Sequence, residues 1–286
     1  MRTALPVRSP SVAVMLIFYI CLIHSVATFG QPDQRTINFP KKIDVVEKLP
    51  SKKNLWIFFL VGQSNMAGRG FVEAQDTLAD NRVLTVTKNN EWIYAKEPLH
   101  YYEPALTGLD CGLSFGKALV HHLDDSITIA VVPCAVGGSA IHQWLGDSLF
   151  RNVRLLSNFK SKVDFVKNYG TIKGILWHQG ESDAHPELAE SYAKNLSALV
   201  DVFRDYVGNK NLPVLMGNLG NFTNENNQRY RKMINKSIDK VAASHKNVAV
   251  ISTRDLAHKG DHLHFNSASQ RIMGERFAAK FLTCCK

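Results

Sequence analysis

The sequence predicts an α/β fold, a three-layer α/β/α sandwich on a central parallel sheet, from three observations. Short apolar runs alternate with longer amphipathic stretches from residue 55 to residue 282, the rhythm of strand–helix–strand units joined by right-handed crossovers. The apolar runs are continuous rather than alternating with polar residues, as expected of strands covered on both faces. No internal repeat or low-complexity linker divides them. A chain of 286 residues with 45% hydrophobic and 21% charged side chains suits one folded domain, not a disordered, collagenous or polytopic membrane protein.

From the N-terminus, Arg2 and Arg8 precede an apolar run at 12–23, after which Ser25-Val26-Ala27 offers small residues to a signal peptidase. Residues 1–27 are therefore expected to be a secretory signal peptide. The run is short of the ~20 apolar residues of a transmembrane helix, and extension through His24 to Gly30 would give the alternative, a signal anchor. Residues 28–54 are polar and lysine-rich, hold Pro32, Pro40 and Pro50, and read as a lead-in arm. The domain follows over 55–286. Strands are expected at 55–61, 127–132, 172–177, 213–217 and 247–251, and helices at 113–123, 151–168, 186–207, 226–245 and 266–282. In the fourth helix Tyr230, Met233, Ile234, Ile238 and Val241 recur at helical spacing.

Lys and Arg number 34 against 25 Asp and Glu, a formal net charge of +9 that falls by only two when Arg2 and Arg8 leave with the signal. A basic body favours acidic partners such as uronate-containing polysaccharides, and equally describes a well-solvated surface. There is no long basic run, zinc-finger spacing or aromatic-interleaved basic stretch, so no nucleic-acid partner is expected, nor any membrane partner after signal cleavage. Three sequons, Asn195-Leu196-Ser197, Asn221-Phe222-Thr223 and Asn235-Lys236-Ser237, offer glycosylation sites on an exported chain, with Asn235 lying off the apolar stripe. Without Cys21, four cysteines remain. Adjacent Cys284 and Cys285 do not readily bridge each other, so the tail pair is expected to reach back to Cys111 and Cys134, the alternative for Cys134 being a buried free thiol.

In open parallel sheets, ligands bind beyond the carboxyl ends of the strands. The first strand runs into Gly62-Gln63-Ser64-Asn65-Met66-Ala67-Gly68-Arg69-Gly70, putting a serine on a tight turn. If a short helix follows, its amides and dipole stabilise an oxyanion at Ser64; alone, the segment is equally a glycine-rich turn with Ser64 as N-cap. Met66 occupies the final glycine's place in Gly-x-Ser-x-Gly, which disfavours the α/β-hydrolase elbow. Near the C-terminus, Gly260-Asp261-His262-Leu263-His264-Phe265 spaces Asp261 to hold one imidazole nitrogen of His264 while the other faces Ser64. Alone, that pair reads as a capping aspartate and a surface histidine; with Ser64 it reads as base and orienter. Two further strand ends, at 132–139 and 177–183, offer oxyanion donors in the Gly138 amide and the Gln179 side chain.

Together G-Q-S-N-M-A-G-R-G, C-A-V-G-G-S-A-I, W-H-Q-G-E-S-D and D-x-L-H-F resemble the sialate O-acetylesterase-type branch of the SGNH hydrolases, near plant carbohydrate esterases and family 6 acetylxylan esterases. The resemblance spans 55–282 and leaves the arm outside. It implies a flavodoxin-like SGNH fold and a secreted serine esterase that removes O-acetyl groups from carbohydrates through an acetyl-serine intermediate. By position, it implies Ser64 as nucleophile, His264 as general base and Asp261 as its orienter. The oxyanion hole would comprise the Ser64 and Gly138 amides and the Gln179 side chain, with Glu181 organising the loop. Beside what the resemblance implies, Asn65 is expected to help organise that loop, and Trp144 and His178 are candidate substrate contacts. The resemblance implies an acetylated carbohydrate partner and no cofactor or metal. Relatives often carry Gly-Pro-Gly where this chain has Asp110-Cys111-Gly112 ahead of Leu113.

Three other functions use overlapping residues. A metallohydrolase would use His178, Glu181, Asp183 and His185, but these crowd a single loop. A glycan-binding pseudo-esterase would stack sugars on Trp144, Trp177, Tyr101 and Tyr102, but has no need of the trio Ser64, Asp261 and His264. A short-chain lipid esterase fits a polar 179–183 loop less well than a carbohydrate esterase does.

Overall fold

The most apolar run of the chain becomes the middle of the sheet. In the computed structural model, which describes residue 1, residues 33–222 and residues 225–284, the principal strands are β1 (Leu55–Gly62), β2 (Val83–Val86), β3 (Trp92–Tyr94) and β4 (Thr128–Pro133). A small hairpin, β5 (Leu149–Phe150) and β6 (Val153–Arg154), precedes β7 (Thr171–His178), β8 (Val214–Gly217) and β9 (Val248–Ile251). The expected signal segment lies outside the described residues, and among those no helix is long and apolar enough to cross a membrane.

Seven strands pair in the order β3-β2-β4-β1-β7-β8-β9, every neighbouring pair parallel except the edge pair β2 and β3. All five expected strands are present. The two that escaped notice, β2 and β3, are short edge strands. The free edge of β3 is covered by residues 44–46 of the arm, where Val46 N–H donates to Trp92 O and Tyr94 N–H to Asp44 O. The body containing this sheet runs from Gln34 to the C-terminus.

Helices fill both faces: α1 (Ser64–Ala67), α2 (Gly112–Val120), α3 (Ile141–Leu145), α4 (Leu155–Val166), α5 (Pro186–Ala189), α6 (Tyr192–Val207), α7 (Glu225–Ser244) and α8 (Ser267–Cys284). The period of two in β1 divides its side chains between two cores. Ile57, Phe59 and Val61 pack with Phe159 of α4, Phe203 of α6 and Ile234 of α7, whereas Phe58 and Leu60 pack with Phe115 of α2 and Phe277 of α8. Phe58 meets the rings of Phe115 and Phe281 edge-on at 4.9 Å each, and burying a side chain of this size contributes roughly 1.5–3 kcal/mol.

Two expectations need correction here. The helix expected at 151–168 starts only at Leu155, because Arg151 (φ 47°) and Asn152 (φ 62°) form the left-handed two-residue turn of the β5–β6 hairpin. Cys111 and Cys134 are both free and buried, so the tail cysteines bridge to neither. They sit in opposite cores, on either side of the sheet.

From β1 the chain builds β2, β3 and β4 on one side and later crosses to β7 on the other. The crevice between these diverging connections opens at the carboxyl end of β1, where Ser64 begins α1.

Candidate active site

Gly62 ends β1 at φ 140°, and a Cβ there would lie 2.1 Å from His178 O, so only glycine lets β1 and β7 close up before the turn. Gln63 follows in extended conformation and Ser64 takes the first helical position, where its N–H has no intrahelical acceptor. The segment at 258–266 brings the remaining groups across. Asp261 Oδ1 accepts from the Leu263 and His264 amides (3.0 and 2.8 Å), its Oδ2 meets His264 Nδ1 at 2.7 Å, and His264 Nε2 lies 3.1 Å from Ser64 Oγ. Desolvation pushes the Asp261 carboxyl up, but the hydrogen bonds from the His264 amide and ring and from the Leu263 amide outweigh it and hold the group at about 2. Desolvation lowers His264 against the opposing pull of Asp261, which leaves the imidazole neutral at pH 7.

Asn65 locks this arrangement. Its Nδ2 donates to Glu181 Oε1 (2.6 Å) and Leu263 O (3.2 Å), and its Oδ1 accepts from Phe265 N–H (3.1 Å), so one amide grips both neighbours of His264. Gly138, at φ 80°, presents an N–H with no acceptor among the described residues. Glu103 fixes that loop: its Oε2 accepts from Gly137 N–H (2.6 Å) and Arg69 Nη2 (2.8 Å), and its Oε1 pairs with Arg151 Nη1. A Cβ on Gly137 would fall 2.1 Å from Arg69 Nη2. The cleft so formed measures about 470 Å³ and is lined by Gln63, Ser64, Gly138, Glu181, His264 and a set of cationic side chains. A larger crevice of about 510 Å³, between the arm and the edge strands, is lined by none of Ser64, Asp261 and His264.

Several expected placements change. Gln179 is fully buried and absent from the cleft wall; its Nε2 donates to Gln63 Oε1 (3.1 Å), Ser139 O (3.0 Å) and Asp183 Oδ2. Gln63 does line the cleft, and its Oε1 also accepts from the Gly180 and Ser182 amides, which fixes its amide plane. Trp144 is buried edge-on to Trp177 and donates to Ser139 Oγ (2.9 Å), so it supports the Gly138 loop from beneath and is unavailable to a sugar. His178 is equally buried, with Nε2 3.1 Å from Asn218 O. Asn235 clamps both the N–H and the C=O of Leu219, which removes it as a free glycan acceptor; Asn195 is half-buried on α6, and Asn221 is exposed. Asp110, where relatives often have Gly-Pro-Gly, caps the Gly112 amide at 2.6 Å and holds His100 at 2.7 Å.

Residues 54–283 match the family described as carbohydrate esterase, sialic acid-specific acetylesterase. A probable carbohydrate esterase of Arabidopsis thaliana is 30% identical over 253 residues, covering 79% of this chain and 90% of that one. The X-ray structure of an Arabidopsis thaliana protein superposes with a TM-score of 0.72 at 28% identity, over 82% of this chain and all of that one. A carbohydrate acetylesterase from Xanthomonas citri shares the fold at a TM-score of 0.63 and 22% identity, over 81% of this chain and 56% of that one. With four sequence motifs meeting in one cleft and a family match covering nearly the whole folded body, the chain belongs to the sialic acid-specific acetylesterase family of carbohydrate esterases.

Proposed function

We propose that the protein hydrolyses O-acetyl esters on carbohydrates by double displacement at Ser64, a mechanism supported above all by the unbroken hydrogen-bond chain Ser64–His264–Asp261 opening on the cleft. Ser64 Oγ attacks the acetyl carbonyl carbon as His264 Nε2 takes its proton. The tetrahedral oxyanion collapses, the C–O bond to the sugar breaks, and His264 returns the proton to the departing sugar oxygen. Water then attacks the acetyl-serine, giving its proton to His264, and collapse releases acetate as Ser64 regains a proton. Asp261 keeps Nδ1 protonated, so that Nε2 is the nitrogen that accepts.

In this mechanism the oxyanion is held by the Ser64 and Gly138 amides and by Gln63 Nε2. Gln63 replaces Gln179 as the side-chain donor because its oxygen is tied to three donors and its nitrogen has no acceptor among the described residues. Gln179 orients Gln63. Asn65, held by Glu181, positions the His264 segment. We further propose export directed by residues 1–27, checked by N-terminal sequencing of protein recovered from medium: a start close after Ala27 supports it, and an intact N-terminus on membrane-extracted protein refutes it. The test of the chemistry is Ser64→Ala. The side chain is small and sits at a turn, so folding persists while hydrolysis of an aryl acetate is lost; retention of more than a few per cent refutes the mechanism.

A further inference from the structure

We infer that Ser182 is a positioning residue of the oxyanion hole, whose hydroxyl, reaching over from the loop after β7, holds the Gly138 amide in place for the reacting ester; this rests on the acetyl-serine mechanism above. The need for such a residue lies in the loop after β4. The Gly138 N–H belongs to the peptide unit between Gly137 and Gly138, so no Cβ on either side restricts its direction. Neither the Gly137 oxygen nor the Gly138 nitrogen of that unit is hydrogen-bonded among the described residues. The turn itself closes loosely, by Ser139 N–H on Val136 O at 3.4 Å. A donor serves an oxyanion best when it is aimed before the reaction begins, so the aim has to come from outside the loop.

The peptide units on either side supply it. Before the free unit, Gly137 N–H donates to Glu103 Oε2 (2.6 Å); after it, Gly138 O accepts from Ser182 Oγ (3.0 Å). In the sheet β1 lies between β4 and β7, so the second bond joins the ends of two strands that are not themselves paired. The Ser182 N–H meanwhile donates to Gln63 Oε1 (3.3 Å), at the end of β1. One residue is thus bonded to both partners proposed to hold the oxyanion beside Ser64, and all of them line the cleft. Gln179 bridges the same strand ends from the buried side, donating to Ser139 O and Gln63 Oε1, which keeps the loop folded when the Ser182 hydroxyl is removed. Loss of that hydroxyl therefore frees one side of the Gly137–Gly138 unit and leaves the fold intact.

The test is Ser182→Ala assayed with an aryl acetate, a substrate with no sugar for the hydroxyl to touch. The kcat should fall about 10–10²-fold, less than the roughly 10²–10³ that follows outright loss of a donor, with KM within about twofold. The melting temperature should stay within about 2 °C of wild type. Trifluoroacetone mimics the acetyl group: Ser64 Oγ adds to its carbonyl carbon as His264 takes the proton, and the adduct carries the oxyanion. Its Ki should rise by the factor by which kcat/KM falls. Because the hydroxyl acts on Gly138, the loss should recur in full in a Gln63→Ala background. The role is overturned by a kcat within about threefold of wild type, by unchanged ketone affinity, or by no further loss in Gln63→Ala. It is equally overturned by a loss seen with acetylated sugars alone, which makes Ser182 a sugar contact, or by a lowered melting temperature with kcat and KM both disturbed. In each of these cases an inactive Ser64→Ala leaves the esterase mechanism standing, whereas activity persisting in Ser64→Ala removes both.

Discussion

Two glutamines compete for one catalytic role, and the structure predicts how they divide it. In the proposed mechanism Gln63→Ala removes an oxyanion donor, a loss that costs about 2.7–4 kcal/mol in comparable sites, or about 10²–10³ in kcat, with KM little changed. Gln179→Ala leaves that donor present but takes away the nearest of the three groups orienting it, at 3.1 Å against 3.3 and 3.4 Å for the Ser182 and Gly180 amides. A fall of about 10–10² is expected, or about 1.4–2.7 kcal/mol. Because Gln179 acts through Gln63, the double variant should be no worse than Gln63→Ala by more than about twofold, a strong departure from additivity. Gln179→Ala also leaves Ser139 O and Asp183 short of a donor in the core, at a stability cost of roughly 2–4 kcal/mol, so rates are taken well below its Tm. The assay is steady-state hydrolysis of an aryl acetate by all four proteins. Multiplicative losses would make Gln179 an independent donor and refute the assignment, as would Gln63→Ala within threefold of wild type.

Activity should rise with pH as His264 loses its proton, and because burial lowers this histidine the midpoint should fall below the ordinary value near 6.5; a midpoint above 7 with chemistry rate-limiting counts against His264 as base. Asp261 is depressed to about 2, so its contribution to stability is complete above the ordinary aspartate value of about 3.9 and is lost as pH falls through 2; Asp261→Asn should flatten the acid-unfolding curve in that window. Gly62→Ala should destabilise by roughly 2–4 kcal/mol, read from the urea midpoint, since it sets a Cβ against His178 O at an unfavourable φ. Peptide mapping after N-glycosidase treatment of exported protein should find Asn221 modified and Asn235 not, and a glycan on Asn235 would mean that its clamp on Leu219 does not form.

What the sequence displayed most clearly was whatever depends on local periodicity or on motif. The five buried strands announced themselves because both of their faces are apolar, and Ser64, Asp261 and His264 because each follows a strand or precedes a helix with unusual polarity. The direction of a side chain at a strand end was hidden. Trp144, Trp177 and His178 look from composition like sugar contacts, yet the pairing of β1 with β7 turns Trp177 and His178 into the interior, and α3 lays Trp144 against Trp177. The exchange between Gln63 and Gln179 has the same origin: adjacent strand ends each offer an amide, and only the register decides which faces the cleft. The β5–β6 hairpin escaped because Arg151 and Asn152 replace the Asn-Gly or Asp-Gly that usually signals a left-handed two-residue turn. One cue was available for Asp110: an aspartate side chain readily accepts from the backbone N–H two residues further on.

The grip of Asn65 on Leu263 and Phe265 joins residues about 200 positions apart, as does the contact between Ser64 and His264. Translation at about 5–20 residues per second separates the emergence of Ser64, the proposed nucleophile, from that of His264, its proposed base, by roughly 10–40 s. Throughout that interval the nascent chain carries the serine turn without the histidine that hydrogen-bonds to it. On the proposed mechanism the ester-cleaving power of the molecule therefore arrives at the end of synthesis, and a chain stalled or clipped before residue 264 holds its serine without the imidazole that activates it.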